Sequence, residues 1–491
     1  MKRKKTLLIL GGVLVVLCAA IGIEKTVKQH VDDVQNADEE ILALEADSLT
    51  AIHMEADGES LDFVKEEDTW QSADDADFPV DQQAIADFLD NYTSVHASFI
   101  IDDVEDYSDY GLDSPEGSLT FTEGEDTTTL ELGGYSSMDS KRYVRLNNGN
   151  VYLVDDDPME TFTTDRDDYM KQDQLADYSE VTAIEINGTE ELSVVYEEDS
   201  SAYTYSDSVH YFEKKDGTYK DLSTTNVNSL LNALQGLDMS DYATYTASAE
   251  DVTAYGLDSP LLEITVTGNF TETAAADTES ADTETETEDT EQAEAEKAEE
   301  EEDPGFYTIR FGEAADDEDT IYFRKDDSAI IYKLSRDSYD SLAEKATYNG
   351  LRPTLAFMPD WDQVTGMDAV INGTTYHFEL DHSGSENVWT WEGEEVDLSL
   401  VTEDLEGLTI TDFSAQDKEL THELSITLYL DNESWPQISA ELYQYDGSSC
   451  LIRRDGENLG LVSRSQMVDL KEAINTVILG DAESETETEE Q

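Results

Sequence analysis

Basic residues are scarce in this chain: 28 lysines and arginines stand against 116 aspartates and glutamates, a formal net charge of −88 over 491 residues. That balance excludes most nucleic-acid roles, because phosphate binding needs a basic surface. Cysteine is nearly missing. Cys18 lies in an apolar N-terminal run and Cys450 far downstream, so no intramolecular disulfide is expected. Apolar cores must then hold the fold by themselves. Long apolar runs are missing after residue 23, so nothing later reads as a bilayer-spanning helix.

Catalytic signatures are missing too. No G-x-S-x-G, S-x-x-K or H-E-x-x-H pattern occurs, and these spacings are what the corresponding chemistries demand. Among 116 acids a glycosidase-like carboxylate pair arises by chance. Of His30, His53, His96, His210, His377, His382 and His422, only His377 and His382 are close. Five apart on a strand, they fall on opposite faces, which is poor geometry for a metal. Gly133-Gly134 reads as a strand-end turn rather than a phosphate loop. Asp155-Asp156-Asp157 and Asp165, Asp167 and Asp168 lack the loop pattern and closing Glu of a calcium site. They read as a solvated acidic face. No catalytic, cofactor-binding or metal-binding residue is assigned, no cofactor is implied, and an enzyme is not expected. An extracellular hydrolase has no motif to stand on.

What is present begins at the N-terminus. Lys2-Arg3-Lys4-Lys5 precedes an apolar and glycine run over residues 7–23. Its length is at the lower limit for a membrane helix, and the basic cluster should stay cytoplasmic. The expectation is a cytoplasmic segment 1–5, a transmembrane signal anchor 6–23 and a mostly helical stalk 24–47. The C-terminal bulk would then be extracellular. Cys18-Ala19-Ala20 leaves signal-peptide cleavage as the alternative.

The clearest signal is a repeated phrase. Tyr110-Gly111-Leu112-Asp113-Ser114-Pro115 recurs as Tyr255-Gly256-Leu257-Asp258-Ser259-Pro260, and internal repeats govern the fold reading. Around it the units match. Thr50-Ala51-Ile52, Thr182-Ala183-Ile184 and Thr365-Gly366-Met367 open alternating runs. Asn187-Gly188 and Asn372-Gly373 are tight-turn signals. Trp70, Tyr203 with Tyr205, and Trp389 with Trp391 follow. Each unit then shows a helix: Ile85, Phe88 and Leu89 behind Pro79-Val80-Asp81; Val227, Leu230, Leu231 and Leu234 behind Ser223 or Thr224 as cap, with Gly236 near the stop; a weaker version at 398–408. Strands close each unit, ending in a short helical segment. The expected layout is repeats at 48–177, 178–353 and 354–480, the last divergent. A disordered acidic insertion at 270–303 sits in one hairpin of the second, and a disordered acidic tail occupies 481–491. The fold class is α+β: per unit an N-terminal hairpin, one helix and an antiparallel β-meander.

The order of Trp70, the capped helix, the Tyr110 to Pro115 phrase, the Leu130-Glu131-Leu132-Gly133 strand and the hairpin around Tyr143 resembles the bacterial DUF4340 family. The resemblance implies a single-pass envelope protein of unknown biochemical function. Some relatives are associated with ABC-type export or gliding-motility systems, and no catalytic residues carry over. The phrase itself reads as structural: glycine permits a positive φ and proline stiffens entry into the next strand. The function expected is thus a non-enzymatic envelope protein or ABC-type export accessory. Its partners would be the membrane and transporter subunits, with no nucleic acid. The alternative is an extracellular module for cell-wall glycan or divalent cations, with Trp70, Trp389, Trp391 and Trp435 as candidate sugar platforms set against ordinary core packing.

Overall fold

The structure is a computed structural model that describes residues 39–161, 163–270, 305–383, 387–416, 420–454 and 456–488. The apolar run at 7–23, most of the stalk and the acidic insertion lie outside the described residues. The chain divides into two compact units, Met1–Asp173 and Gln174–Gln491.

The described residues form three nine-stranded sheets, one in the first unit and two in the second, with every strand pair antiparallel. The chain is therefore mostly β-sheet with a few helices, an α+β protein. In the second sheet the N-terminal strand Tyr178–Asn187 turns back through Glu191–Tyr196, Tyr211–Lys215 and Thr218–Leu222. On its other side it pairs with Leu262–Phe270, which starts the meander Gly305–Glu313, Thr320–Lys325 and Ile331–Ser335. Tyr242–Thr244 closes the far edge. The third sheet repeats this order from Val364–Ile371 to Glu457–Ser463, with Ile410–Asp412 at its edge. The phrase is absent there, yet the strand order is the same.

One face of each sheet is buried. Ile52 and Met54 are buried while His53 points out and meets Asp62 across the strand pair at 2.7 Å. Asp368 and His377 make the corresponding pair in the third sheet at 2.6 Å. This two-residue alternation is the strand period itself. Each buried large apolar side chain contributes roughly 1.5–3 kcal/mol.

The helices begin where their caps lie. Asp81 accepts from the Gln83 and Ala84 amides ahead of Gln82–Asp90, which buries Ile85, Phe88 and Leu89. Ser223 caps Thr224–Gln235, which buries Val227, Leu230, Leu231 and Leu234. Ser399–Glu406 has no side-chain cap and buries Val401 and Leu405. The repeated phrase forms a tight corner: Gly111 and Gly256 adopt φ of +69° and +70°, while Leu112 and Leu257 plug inward.

Several expectations are corrected. Glu39–Leu42, at the end of the expected helical stalk, is an edge strand paired to Val95–Ile101. Leu42 and Leu44 are buried there, and an open sheet edge takes them more readily than a solvated helix would. Gly133 and Gly134 lie inside Asp126–Ser136 at a register shift, not at a strand end. Asn372-Gly373 makes the two-residue turn with both φ positive. At Asn187-Gly188 the strands pair from Asn187 to Glu191, so that loop has three residues. The third unit's closing helix, Arg464–Thr488, is long rather than short and continues into the acidic segment. Glutamate is a fair helix former, and extending an existing helix is cheap. The strands Leu262–Phe270 and Gly305–Glu313 pair directly, so the acidic tract is an insertion into one hairpin.

Candidate functional site

Within the second unit a cleft of about 410 Å³ opens between residues of the second and third sheets. Three local structures build one wall. Asp199 accepts from the Ser201 amide and caps the turn Ser200–Ala202, delivering Tyr203, Thr204 and Tyr205. The edge strand Thr218–Leu222 supplies Tyr219, Lys220 and Asp221. Thr347 caps the short helix Tyr348–Leu351 by accepting from the Gly350 amide at 3.0 Å. Arg352 then turns extended, with φ −69° and ψ 157°, as a residue before proline must.

The third sheet supplies the other wall. Arg454 ends the strand Ser449–Arg454. Trp435 sits in the connection between Thr421–Leu430 and Gln437–Gln444, where Asn432 Oδ1 accepts from its amide at 3.0 Å. Its indole Nε1 donates to the Ser201 carbonyl at 3.1 Å, which fixes the ring across the cleft.

The cleft gathers two arginines, a lysine and a largely buried carboxyl. Arg454 Nη1 donates to the Tyr205 hydroxyl at 2.7 Å. Arg352 Nη2 donates to the Leu459 carbonyl at 3.1 Å, and its guanidinium lies 4.2 Å from the Phe413 ring centre and 5.2 Å from that of Tyr348. Burial holds Arg352 below the ordinary arginine value, with the nearby Arg454 adding to the effect. Lys220 is 3.6 Å from Glu213. Burial pushes the Asp221 carboxyl above its ordinary value against the attraction of Arg454, and Thr204 Oγ1 donates to it at 3.1 Å. Tyr203 and Tyr219 stack at 4.1 Å, with their planes 18° apart.

Such a cleft can bind. Guanidinium groups stay protonated and form paired hydrogen bonds to planar anions, and aromatic faces accept the apolar side of a ring.

The residues singled out in the sequence are mostly elsewhere. Trp70 is buried in the first sheet, its backbone held by the Gln82 side chain. Trp389 and Trp391 are half-buried against the third core. Trp435, weighed as a sugar platform against core packing, lies on a connection between strands and lines the cleft. His377 is held by Asp368, and His382 bonds to the Val364 carbonyl instead. Asp157 clasps Arg142 and caps a turn, and Asp165 caps another. Among the described residues no three His, Cys, Asp or Glu side chains converge on a possible metal position. Arg352, Arg454, Tyr348 and Asp221 were not singled out. The rare basic residues in Arg352-Pro353 and Arg453-Arg454 were the available signal.

The family model described as "Domain of unknown function (DUF4340)" matches residues 70–260 and 226–425. The chain belongs to this family, and the matched region reaches into the third sheet. No curated protein and no solved structure gives a significant match.

Proposed function

From membership of the DUF4340 family as premise, we propose that the chain is a membrane-anchored extracytoplasmic protein that works by binding, as an accessory to an ABC-type export complex. The basic cluster followed by the apolar run at 7–23 supports the anchor and its direction. The observation that carries the binding role is the cleft, whose principal cations are arginines. These hold ligands but do not exchange protons near neutral pH. Fractionation of cells should leave the full chain in the membrane, open to protease added from outside. Recovery in the cytosolic fraction sinks the anchor. Purification from detergent-solubilised membranes should bring down a transporter permease or ATPase, and repeated preparations without either subunit sink the export role.

A second reading, an extracellular glycan-binding module, is favoured by one feature: Trp435 and the stacked Tyr203 and Tyr219 line the same cleft as polar side chains.

A further inference from the structure

We infer that this cleft binds an acidic saccharide, with its carboxylate held between Arg352 and Arg454 and its ring against the aromatic faces. The inference rests on the glycan-binding reading and names the ligand class.

The observation behind it is a missing pairing. In so acidic a chain, arginines find carboxylates: Arg142 meets Glu116 at 2.7 Å, Arg310 meets Glu263 at 2.7 Å, Arg336 meets Glu313 at 2.8 Å and Arg464 meets Glu423 at 3.0 Å. Arg352 and Arg454 are the exceptions within the cleft. Neither has a carboxylate within 4.0 Å among the described residues, though both line the same cavity. A guanidinium carries five N–H donors. Arg352 spends one on the Leu459 carbonyl and Arg454 one on the Tyr205 hydroxyl. Arg454 feels the largely buried Asp221 carboxyl at longer range, but neither guanidinium is in ion-pair contact; partly buried and close to each other, the two cations are costly as they stand. An anion between them removes both the repulsion and the unmet donors.

The rest of the cleft narrows the class. Its volume of about 410 Å³ falls in the usual range for small-ligand sites, about 300–1,000 Å³, room for one or two pyranose rings. Tyr203, Tyr219 and Trp435 offer faces for the C–H side of such a ring. Asp221 and Gln437 offer partners for hydroxyl groups. The strongly negative field of the protein penalises each further charge on a ligand. At physiological salt that field is screened beyond about 8 Å. A singly charged carboxylate therefore fits better than a polyphosphate.

The test is calorimetric titration of the purified full-length chain with N-acetylmuramic acid and with N-acetylglucosamine, which lacks the lactyl carboxylate. The acid should bind at least about tenfold tighter. Arg352→Gln and Arg454→Gln should each abolish that preference and leave the neutral sugar's affinity unchanged. Arg352→Lys, which keeps the charge and loses the fork, should lose part of it, and serves if a glutamine variant misfolds by circular dichroism. Equal affinity for the two sugars, or a preference untouched by both glutamine variants, overturns the inference and leaves the glycan reading standing. No binding of either sugar overturns both. Free lactate binding as tightly as N-acetylmuramic acid overturns the saccharide and marks a bare carboxylate site.

Discussion

Gly312 runs so close to Tyr255 that a methyl group on it would sit 2.3 Å from the Tyr255 carbonyl oxygen. Reciprocally, a methyl on Gly256 would meet the Glu313 carbonyl at 2.7 Å. The first unit repeats the junction, with Gly133 against the Tyr110 carbonyl at 2.5 Å and Gly111 against the Gly134 amide at 2.6 Å. The repeated phrase and the strand glycine downstream are thus two halves of one backbone contact. The phrase tyrosine then meets the next strand's tyrosine: Tyr255 stacks on Tyr322 at 4.2 Å, and Tyr110 meets Tyr143 edge-on at 5.1 Å.

Gly312→Ala should therefore cost about 3 kcal/mol, the upper end of ordinary overpacking, since backbone stands in the way. Gly217 provides the control. It has φ +80° but nothing within 4 Å, so Gly217→Ala should cost only about 1–2 kcal/mol for the left-handed conformation. Urea unfolding of both variants measures the difference. Equal losses would mean that the junction yields.

Asp221 sets a pH dependence. Burial raises its carboxyl above the ordinary value, so the folded state holds the proton more tightly than the unfolded chain does. Its stabilising contribution is complete below the unfolded value, about 3.9, and is lost as pH rises through the folded one. Asp221→Asn should melt higher than the parent at pH 7, and the gap should close below pH about 4. A parent that is the more stable at pH 7 would show that Arg454 outweighs burial.

His382 works in the other chemical sense. Its Nε2 lies 2.6 Å from the Val364 carbonyl and its Nδ1 2.9 Å from Asn387 Oδ1. Bonding first to Val364 and then to Asn387 raises its pKa, because two oxygens favour the doubly protonated ring. The stability it adds is full below the ordinary histidine value and fades as pH rises through the folded one. Its imidazole should titrate above about 6.5 by NMR. A value at or below that would mean the ring leaves Val364 in solution.

Cys450 carries a free thiol with no solvent exposure, and burial pushes its pKa up despite the nearby Arg464. A thiol reagent should leave it unlabelled in the native chain and modify it in urea. Cys450→Ser should cost about 1–3 kcal/mol for burying a hydroxyl at a core position whose polar neighbour, Arg464 Nη1, lies 3.9 Å from the sulfur. Rapid native labelling would contradict the packing.

Local features were legible because they need only neighbours. Asp81 and Ser223 announce their helices through side chains that reach amides two or three residues on. The strand around Tyr143 shows in alternation, and those around Tyr322 and Leu451 show as short apolar runs at the matching place in each unit. Misreadings fell where tertiary partners intervene: Leu42 lies in the stretch expected to be a helical stalk but has an open sheet edge beside it, and Gly133-Gly134 looks like a turn until Tyr110 is laid against it.

The sequence by itself determined the charge, the repeated phrase and where the main helices begin, since these follow from composition and short-range periodicity. Only the tertiary structure decided the cleft. Tyr205, Arg352, Trp435 and Arg454 come from separate segments, and no local pattern links them. What joins them is Tyr205 packing into the third sheet's core and Trp435 reaching back to Ser201. Convergence of that kind is a property of packed surfaces, where partners are chosen by shape and burial rather than by distance along the chain.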